Sequence, residues 1–373
     1  MYKVFNKSIS FKIPIKSSII LYSKSSKVLK KTLNEKYTSK ICIDRNEINL
    51  FIFILTLLNG RISFLNYVKT FIKFVDPKII ITFTDSDIDF YKLKFFYPNK
   101  FFISVQNGHR IEGRDPFFTE LIKAKKKKIS LEIDYYLVFN NQYAKFIKKF
   151  IKCKTFEKGS YRNNLIKIKK NKKISKDLLF ISQYFSKAQK NISNKEHSIF
   201  YSVEKKLLPI LKKYCLKNKL NLIILLRGAG PKAEDEKNFY NSFLKNNFKG
   251  LREKNAYNFI DKYENIFTID STLGYEALVR KKKVFFFRRP IKIKKKYYKH
   301  SYRWPISIKE NNFTTDDISE KNIFRILKKN LNINYNKWLK INNKHFNNLM
   351  IYEYKNKTLL ELIKKCLKVE TTT

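Results

Sequence analysis

Short apolar runs recur along the chain, separated by stretches whose apolar positions repeat at helical spacing. This alternation predicts α/β layers around a mainly parallel sheet. In the first half, strands are predicted at 18–22, 40–43, 78–83, 101–105 and 135–139, with helices near 26–33, 47–58, 65–75, 87–96 and 142–151. A second alternation follows. Strands are predicted at 178–181, 222–226, 266–269 and 284–287, with helices near 200–216, 234–244 and 274–279. Long helical patterns at 323–331 and 338–367 close the chain.

Between the two alternations, residues 163–176 are polar, rich in Lys and without apolar periodicity, which marks a linker. The expected organisation is therefore an N-terminal Rossmann-like domain, 1–162, a linker, 163–176, a second Rossmann-like domain, 177–335, and C-terminal helices, 336–373, that pack back on the first domain. Two such domains are expected to face each other across a cleft. At 373 residues the chain is long enough for two cores.

Composition narrows the classes. With 43% apolar and 16% aromatic residues, this is a globular chain. The longest apolar run, 50–58, is about half of the ~20 residues a membrane span needs. The N-terminus lacks a continuous signal-peptide core. Cys42, Cys153, Cys215 and Cys366 show no paired spacing, which argues against zinc and disulfide frameworks. A cytoplasmic protein is expected.

The net charge of +49 suggests a polyanion partner. Yet sixty-eight Lys stand against twelve Arg, and the chain is also rich in Asn, Ile, Phe and Tyr. These residues have AT-rich codons, so a drifting genome explains the charge better than nucleic-acid binding, which would favour the forked Arg side chain. The Lys runs 125–128 and 292–296 read as solvated faces. Arg280 to Lys283, Arg288, Arg289 and 292–299 mix cations with Tyr297, Tyr298 and Trp304, which suits an anionic membrane interface. Six of the eight Gly fall in loops after predicted strands: Gly108, Gly113, Gly159, Gly228, Gly230 and Gly274. Glycine there permits positive φ or close approach of backbone to a ligand.

Ligands of open α/β sheets bind beyond the carboxyl ends of the strands, and polar clusters gather there in this sequence. Asp85-Ser-Asp87 is formally a DxD pair that could hold a divalent cation, or an Asp N-cap. Gln106 and Asn107 suit hydroxyl-rich acceptors, and Asp85 and His109 are the candidate bases. In the second half, Ser182-Gln183, Arg227-Gly228 and Asp270-Ser-Thr-Leu-Gly274 occupy the corresponding places. Ser271 and Thr272 sit at a helix start, whose unpaired N–H groups and dipole suit phosphate. The same two residues also read as a plain N-cap. Arg227 and Gly228 are placed beside the phosphates, and Glu276, one turn into the helix, near a sugar hydroxyl.

The stretches Phe101-Phe-Ile-Ser-Val-Gln-Asn-Gly-His109, Asp134-Tyr-Tyr-Leu-Val-Phe139 with Gly159-Ser160, Leu179-Phe-Ile-Ser182 and Asp270-Ser-Thr-Leu-Gly-Tyr-Glu276 resemble bacterial O-antigen or capsule glycosyltransferases of GT-B fold. More distantly, the Ser/Thr pair is similar to that of capsule polysialyltransferases and glycerophosphotransferases that use CDP-activated donors. The resemblance implies that Ser271 and Thr272 face the donor phosphate. Those relatives carry a His-Pro motif where this chain reads Leu226-Arg-Gly-Ala-Gly-Pro231, which implies either that Arg227 takes the phosphate-neutralising place or that the donor differs. The implied function is transfer of a sugar, or a sugar-like phosphoalcohol, from a nucleotide-activated donor to a surface or lipid-linked glycan. A helix N-terminus and Arg227 would stabilise the departing phosphate without a resident cofactor, and the basic, aromatic stretch at 280–304 suits peripheral work at the inner membrane face. The alternatives are a sugar-nucleotide 2-epimerase of the same fold and a basic nucleic-acid-binding module.

Overall fold

The uninterrupted apolar runs form the central strands of two all-parallel sheets, buried on both faces as parallel strands require. The computed structural model describes residues 8–369 except 24–28, 30–31, 34, 44–46, 61–62, 111–115, 170–173, 186–192, 229–230, 246–247, 253–254, 270, 288, 294–295, 301–313, 316 and 347–348; for 8, 35, 194–196, 289–293, 296–300 and 343–346 it describes the backbone. The expectations for a helix near 26–33, for Gly113, Gly230 and Asp270, and for Lys294, Lys295 and Trp304 lie largely or wholly outside the described residues.

The chain divides into two compact units. Unit 1 comprises Met1–Asn107, Pro116–Leu165 and Glu353–Thr373; unit 2 comprises Gly108–Asp115 and Ile166–Tyr352. The division falls inside the expected linker. That linker is shorter than 163–176, because Asn163 and Asn164 are buried in a helical turn and Ser175 already opens a strand.

In unit 1, β1 (Ser8–Ser10), β2 (Ile19–Ser23), β3 (Thr38–Cys42) and β4 (Glu47–Asn49) precede α1 (Leu50–Leu58) and α2 (Phe64–Val75). β5 (Ile79–Thr82), α3 (Ile88–Phe96), β6 (Phe101–Val105), α4 (Pro116–Lys126), β7 (Glu132–Val138), α5 (Asn141–Ile147), β8 (Lys152–Glu157) and α6 (Tyr161–Asn164) follow. The six-stranded sheet runs β3-β2-β5-β6-β7-β8, and β1 pairs with β4 apart from it. The helix expected over 47–58 therefore begins three residues late. Glu47–Asn49 is drawn into pairing with β1, and the Asn49 side chain caps α1 by accepting from the Ile52 N–H. Ser63 and Asn140 cap α2 and α5 in the same way.

Unit 2 repeats the plan with β9 (Ser175–Ile181), α7 (Asn194–Phe200), α8 (Ser202–Lys217), β10 (Leu222–Leu225), α9 (Pro231–Leu244) and β11 (Lys249–Leu251). After these come α10 (Ala256–Ile260), β12 (Tyr263–Thr268), α11 (Thr272–Val279), β13 (Lys283–Phe287), the antiparallel pair β14 (Arg289–Ile293) and β15 (Lys296–His300), β16 (Thr314–Thr315), α12 (Glu320–Leu331) and α13 (Tyr335–Phe346). The sheet order is β11-β10-β9-β12-β13-β16. Its core joins Leu178, Ile224 and Phe267 to Leu207 and Leu211 of α8 and Ile323 of α12.

The helical pattern at 338–367 is two helices. Lys355 (φ 66°) and Asn356 (φ 51°) adopt left-handed backbone that no helix continues through. Asn356 holds this break by donating to the Tyr161 carbonyl at 3.1 Å and accepting from Asn164 at 3.0 Å. The last helix, α14 (Lys357–Lys368), then buries Leu359, Leu362, Ile363 and Cys366 in the core of unit 1. Of the C-terminal helices expected to return to the first domain only this one does so; α13 stays in unit 2, where Trp338 meets the Phe285 ring at 6.4 Å. All four cysteines are free. Lys125–Lys128 is a solvated face, also as expected.

Candidate functional site

Strand order locates the crevice of each sheet. In unit 1 the order reverses between β2 and β5, and in unit 2 between β9 and β12, the place where open α/β sheets receive ligands. The residues that follow β9 and β12 are Ser182-Gln183 and Ile269 to Thr272, so the sequence-predicted cluster stands at the switch point of unit 2.

Ser271 is the N-cap of α11, its hydroxyl oxygen accepting from the Leu273 N–H at 3.2 Å. The Thr272 hydroxyl accepts from the His109 backbone N–H at 3.0 Å. Each oxygen is thus used as an acceptor, which leaves each O–H to donate to an anion at the positive end of the helix dipole. The two readings of this pair are compatible: it caps the helix and keeps protons for a ligand.

The imidazole of His109 lies on the ring of Tyr275, with centroids 4.4 Å apart. Burial, reinforced by the neighbouring Arg110 charge, lowers its pKa from 6.5 to about 3. A ring that stays neutral throughout the physiological range is too weak a base to suit proton abstraction near pH 7. It can still hold a hydrogen-bonding partner. Gly274 is pressed against the sheet: a Cβ there would meet Thr268 Cγ2 at 2.6 Å and Phe286 Cε1 at 3.0 Å. Its smallness serves helix-to-strand packing and not close approach to a ligand. Positive φ is found at Gly60 and Gly159 alone among the described glycines, so the other loop glycines are not turn residues of that kind. Glu276 is buried and accepts from the Tyr257 hydroxyl at 3.1 Å, so one oxygen is already occupied.

At the ends of β9 and β10, a carboxylate that sequence reasoning offers only as an ion-pair partner for Arg227 organises the loops. Glu236, buried in α9, accepts from the Arg227 N–H at 3.0 Å, from the Gly228 N–H at 2.7 Å and from the Ser182 hydroxyl. Burial raises its pKa and these hydrogen bonds oppose the rise. The Ser182 oxygen also meets Tyr240 at 2.6 Å and accepts from the Tyr184 N–H at 3.1 Å. Ser182 is therefore an internal tie and not a free donor to ligand. Gln183 is half-buried, and its carbonyl accepts from Tyr201 at 3.4 Å. Gly228 lets the loop lie against α9, since a Cβ would strike the Lys232 carbonyl at 2.6 Å. Arg227 is exposed and rests on the Phe185 ring at 3.7 Å. The ends of β10 and β12 are two strand spacings apart, about 10 Å. The structural alternative for Arg227 is an ion pair with Glu234 or Glu236 of the following helix; the Glu236 contacts run instead to the Arg227 and Gly228 backbone N–H groups.

In unit 1 the cluster is mostly structural. Asp85 is fully buried, and its carboxylate accepts from the Asn107 N–H at 3.2 Å and the Tyr136 hydroxyl at 3.1 Å. Gln106 is buried and accepts from the Phe139 N–H at 2.8 Å, tying the β6 loop to β7. Neither side chain stands open to a substrate. Asn107 is exposed. Asp87 caps α3 through the Asp89 N–H at 3.1 Å and takes the Tyr22 hydroxyl at 3.0 Å, which is the cap reading of the DxD pair. Among the described residues, no three His, Cys, Asp or Glu side chains converge as metal ligands.

The basic stretch after α11 departs most from expectation. Arg280, Lys282 and Lys283 are buried. Arg280 pairs with Asp261 through Nε at 2.8 Å and Nη2 at 2.5 Å, and Lys282 donates to the Asp261 carbonyl at 2.7 Å. Lys283 reaches Glu264 at 2.8 Å and the Asn330 carbonyl at 3.2 Å. Only Lys281 of these four faces solvent, so this part of the stretch cannot serve as a lipid-facing patch.

Two parallel sheets of Rossmann type, each with its own switch point, define a GT-B-like α/β protein. Residues 103–367 match a protein family described as "putative O-antigen biosynthesis protein", and the chain belongs to that family. The fold is similar to that of a UDP-N-acetylglucosamine 2-epimerase homologue from Listeria monocytogenes, at 12% identity and a TM-score of 0.52, over 94% of this chain and 96% of that one. It is also similar to UDP-GlcNAc 2-epimerase from Methanocaldococcus jannaschii, at 12% identity and a TM-score of 0.50, over 93% and 99%. The wall teichoic acid polymerase TagF overlaps more loosely, at 10% identity and a TM-score of 0.48, over 95% and 89%. Comparison with curated proteins gives no match. Among the described residues, no helix is long and apolar enough to cross a membrane.

Proposed function

We propose that the chain is a glycosyltransferase of O-antigen assembly, moving a sugar from a nucleotide-activated donor to a surface polysaccharide or lipid-linked precursor. The observation that carries this reading is the start of α11 at the switch point of unit 2, where Ser271 and Thr272 keep hydroxyl protons to offer. Departure of a nucleotide phosphate needs charge stabilisation, which a helix N-terminus, two hydroxyls and the exposed Arg227 supply. Arg227 on Phe185 gives a cationic edge to the same sheet end. Membership of an O-antigen biosynthesis family supports a glycan acceptor. In this reading the enzyme works in the cytoplasm against the inner leaflet, and the neutral His109 positions a hydroxyl by hydrogen bonding. The reading needs no resident cofactor.

The epimerase reading has the fold likeness in its favour. That reaction calls for acid and base groups in the crevice; of the described carboxylates beside the strand ends of unit 2, Glu236 is engaged with Arg227, Gly228 and Ser182, and Glu276 accepts from Tyr257. A thermal-shift panel of UDP-, GDP-, CMP- and CDP-linked donors tests donor use, with stabilisation by at least one expected. No stabilisation by any of them would sink both enzyme readings. Isomerised sugar nucleotide formed without acceptor would select the epimerase.

A further inference from the structure

α1 inverts the usual arrangement of a surface helix. Leu50–Leu58 carries no charge, in a chain where 30% of residues are charged. The helix buries Ile52 and its one hydroxyl, Thr56, which donates back to the Ile52 carbonyl at 2.7 Å. Ile54, Leu57 and Leu58 share the opposite face at i, i+3 and i+4 spacing and stand 47%, 39% and 78% exposed.

The segment before β2 has the same inversion in extended form. Residues 9–16 alternate apolar with polar or Pro, and Phe11, Ile13 and Ile15 are 74%, 61% and 60% exposed. This segment adjoins α1. β1 pairs with β4, which runs directly into the helix. The Lys12 carbonyl accepts from the side-chain amide of Asn49, the α1 cap, at 2.6 Å. Lys16 lies 6.0 Å from the Phe74 ring, which in turn meets Phe51 of α1 edge-on at 5.1 Å.

We propose that α1 and residues 9–16 form a docking face for an anionic lipid surface. Apolar side chains this exposed, gathered on two adjoining segments, mark an interaction site. Charge selects the occupant: Lys12 and Lys16 are interspersed with the apolar residues, and eight lysines precede Glu35, the first acidic residue of the chain. That pairing of apolar insertion with cations suits acyl chains below and lipid phosphates above. A second copy of this +49 chain would instead bring like charges together. The docking face is independent of the donor and of the reaction catalysed.

The test is sedimentation of the full chain with vesicles of phosphatidylcholine, with and without phosphatidylglycerol. The wild type sediments with the anionic vesicles; Leu57→Glu with Leu58→Glu weakens binding by about tenfold or more. Lys12→Gln with Lys16→Gln gives a smaller loss and a shallower dependence on salt. Because a paired Glu variant could disturb folding, Leu58→Cys carrying an environment-sensitive fluorophore provides a second reading, with a blue shift expected on adding anionic vesicles. Absence of wild-type sedimentation, equal sedimentation of the Glu variant, or an unshifted fluorophore would each overturn the proposal. A dimer that the Glu variant dissociates, without vesicle binding, would also overturn it and assign the face to a second copy.

Discussion

The backbone N–H of His109 donates to the Thr272 hydroxyl at 3.0 Å, so the residue at the head of α11 anchors a loop while keeping its own proton. Thr272→Ala removes both the anchor and the donor. Under the transfer reading, donor-nucleotide affinity falls about tenfold, near 1.4 kcal/mol, while Thr272→Ser retains most of it. Titration calorimetry on the two variants decides the matter. Undiminished affinity in Thr272→Ala would remove Thr272 from the phosphate site.

His109 also gives a pH dependence of known sign. Its pKa is lowered from 6.5 to about 3 in the folded chain, so between those values the unfolded chain binds a proton that the folded chain does not. Its contribution is complete above pH 6.5 and is lost as pH falls toward 3. The urea midpoint of the wild type is expected to drop between pH 7.5 and about 5 more steeply than that of His109→Gln. Parallel curves would show that the imidazole is protonated normally in the fold.

How much of this was legible beforehand differs from element to element. Strands buried on both faces, such as Ile79–Thr82 and Leu222–Leu225, leave unbroken apolar runs, so the two sheets were plain in the sequence. The edge strand Lys152–Glu157 was not, because half-exposed pairing tolerates the lysines that disguise it. Polar clusters at strand ends were visible, but their use was not. Whether Asp85 and Gln106 meet substrate or protein depends on Tyr136 and Phe139, which only the pairing of β6 with β7 brings near. Arg280, Lys282 and Lys283 read as part of a membrane-facing basic stretch because buried and surface cations are spelled alike in so basic a chain.

Those buried cations make a stability prediction. Arg280 and Asp261 are fully shielded from solvent and doubly hydrogen-bonded. Removing one partner leaves a buried charge, so Asp261→Ala should cost about 3–5 kcal/mol. The pair of substitutions Arg280→Met and Asp261→Leu should cost less than Asp261→Ala alone. Urea denaturation of the three variants measures this, and a double variant weaker than the single one would show that the pair itself is strongly stabilising.

Gly274 lacks room for a methyl group. Gly274→Ala places a Cβ 2.6 Å from Thr268 Cγ2 and 3.0 Å from the Phe286 ring, so α11 must shift away from the sheet. The expected destabilisation is about 1–3 kcal/mol, read as a lower urea midpoint at unchanged slope. Since α11 also carries Ser271 and Thr272, donor affinity should fall with it. An equally stable Gly274→Ala would mean that Thr268 and Phe286 yield freely.

Under the transfer reading, Glu236 is expected to act through Arg227 and not on the ligand. Its carboxylate fixes the N–H groups of Arg227 and Gly228, and through them the loop from which the guanidinium extends over Phe185. Glu236→Gln keeps the shape but replaces one acceptor oxygen with an amide that opposes a backbone donor. Donor binding should weaken by about threefold to tenfold. If the effect runs through Arg227, Glu236→Gln should weaken binding little further once Arg227→Ala is in place, which a double-mutant cycle on donor affinity resolves. Fully additive losses would instead give Glu236 a separate role, in contact with the ligand or in the stability of unit 2.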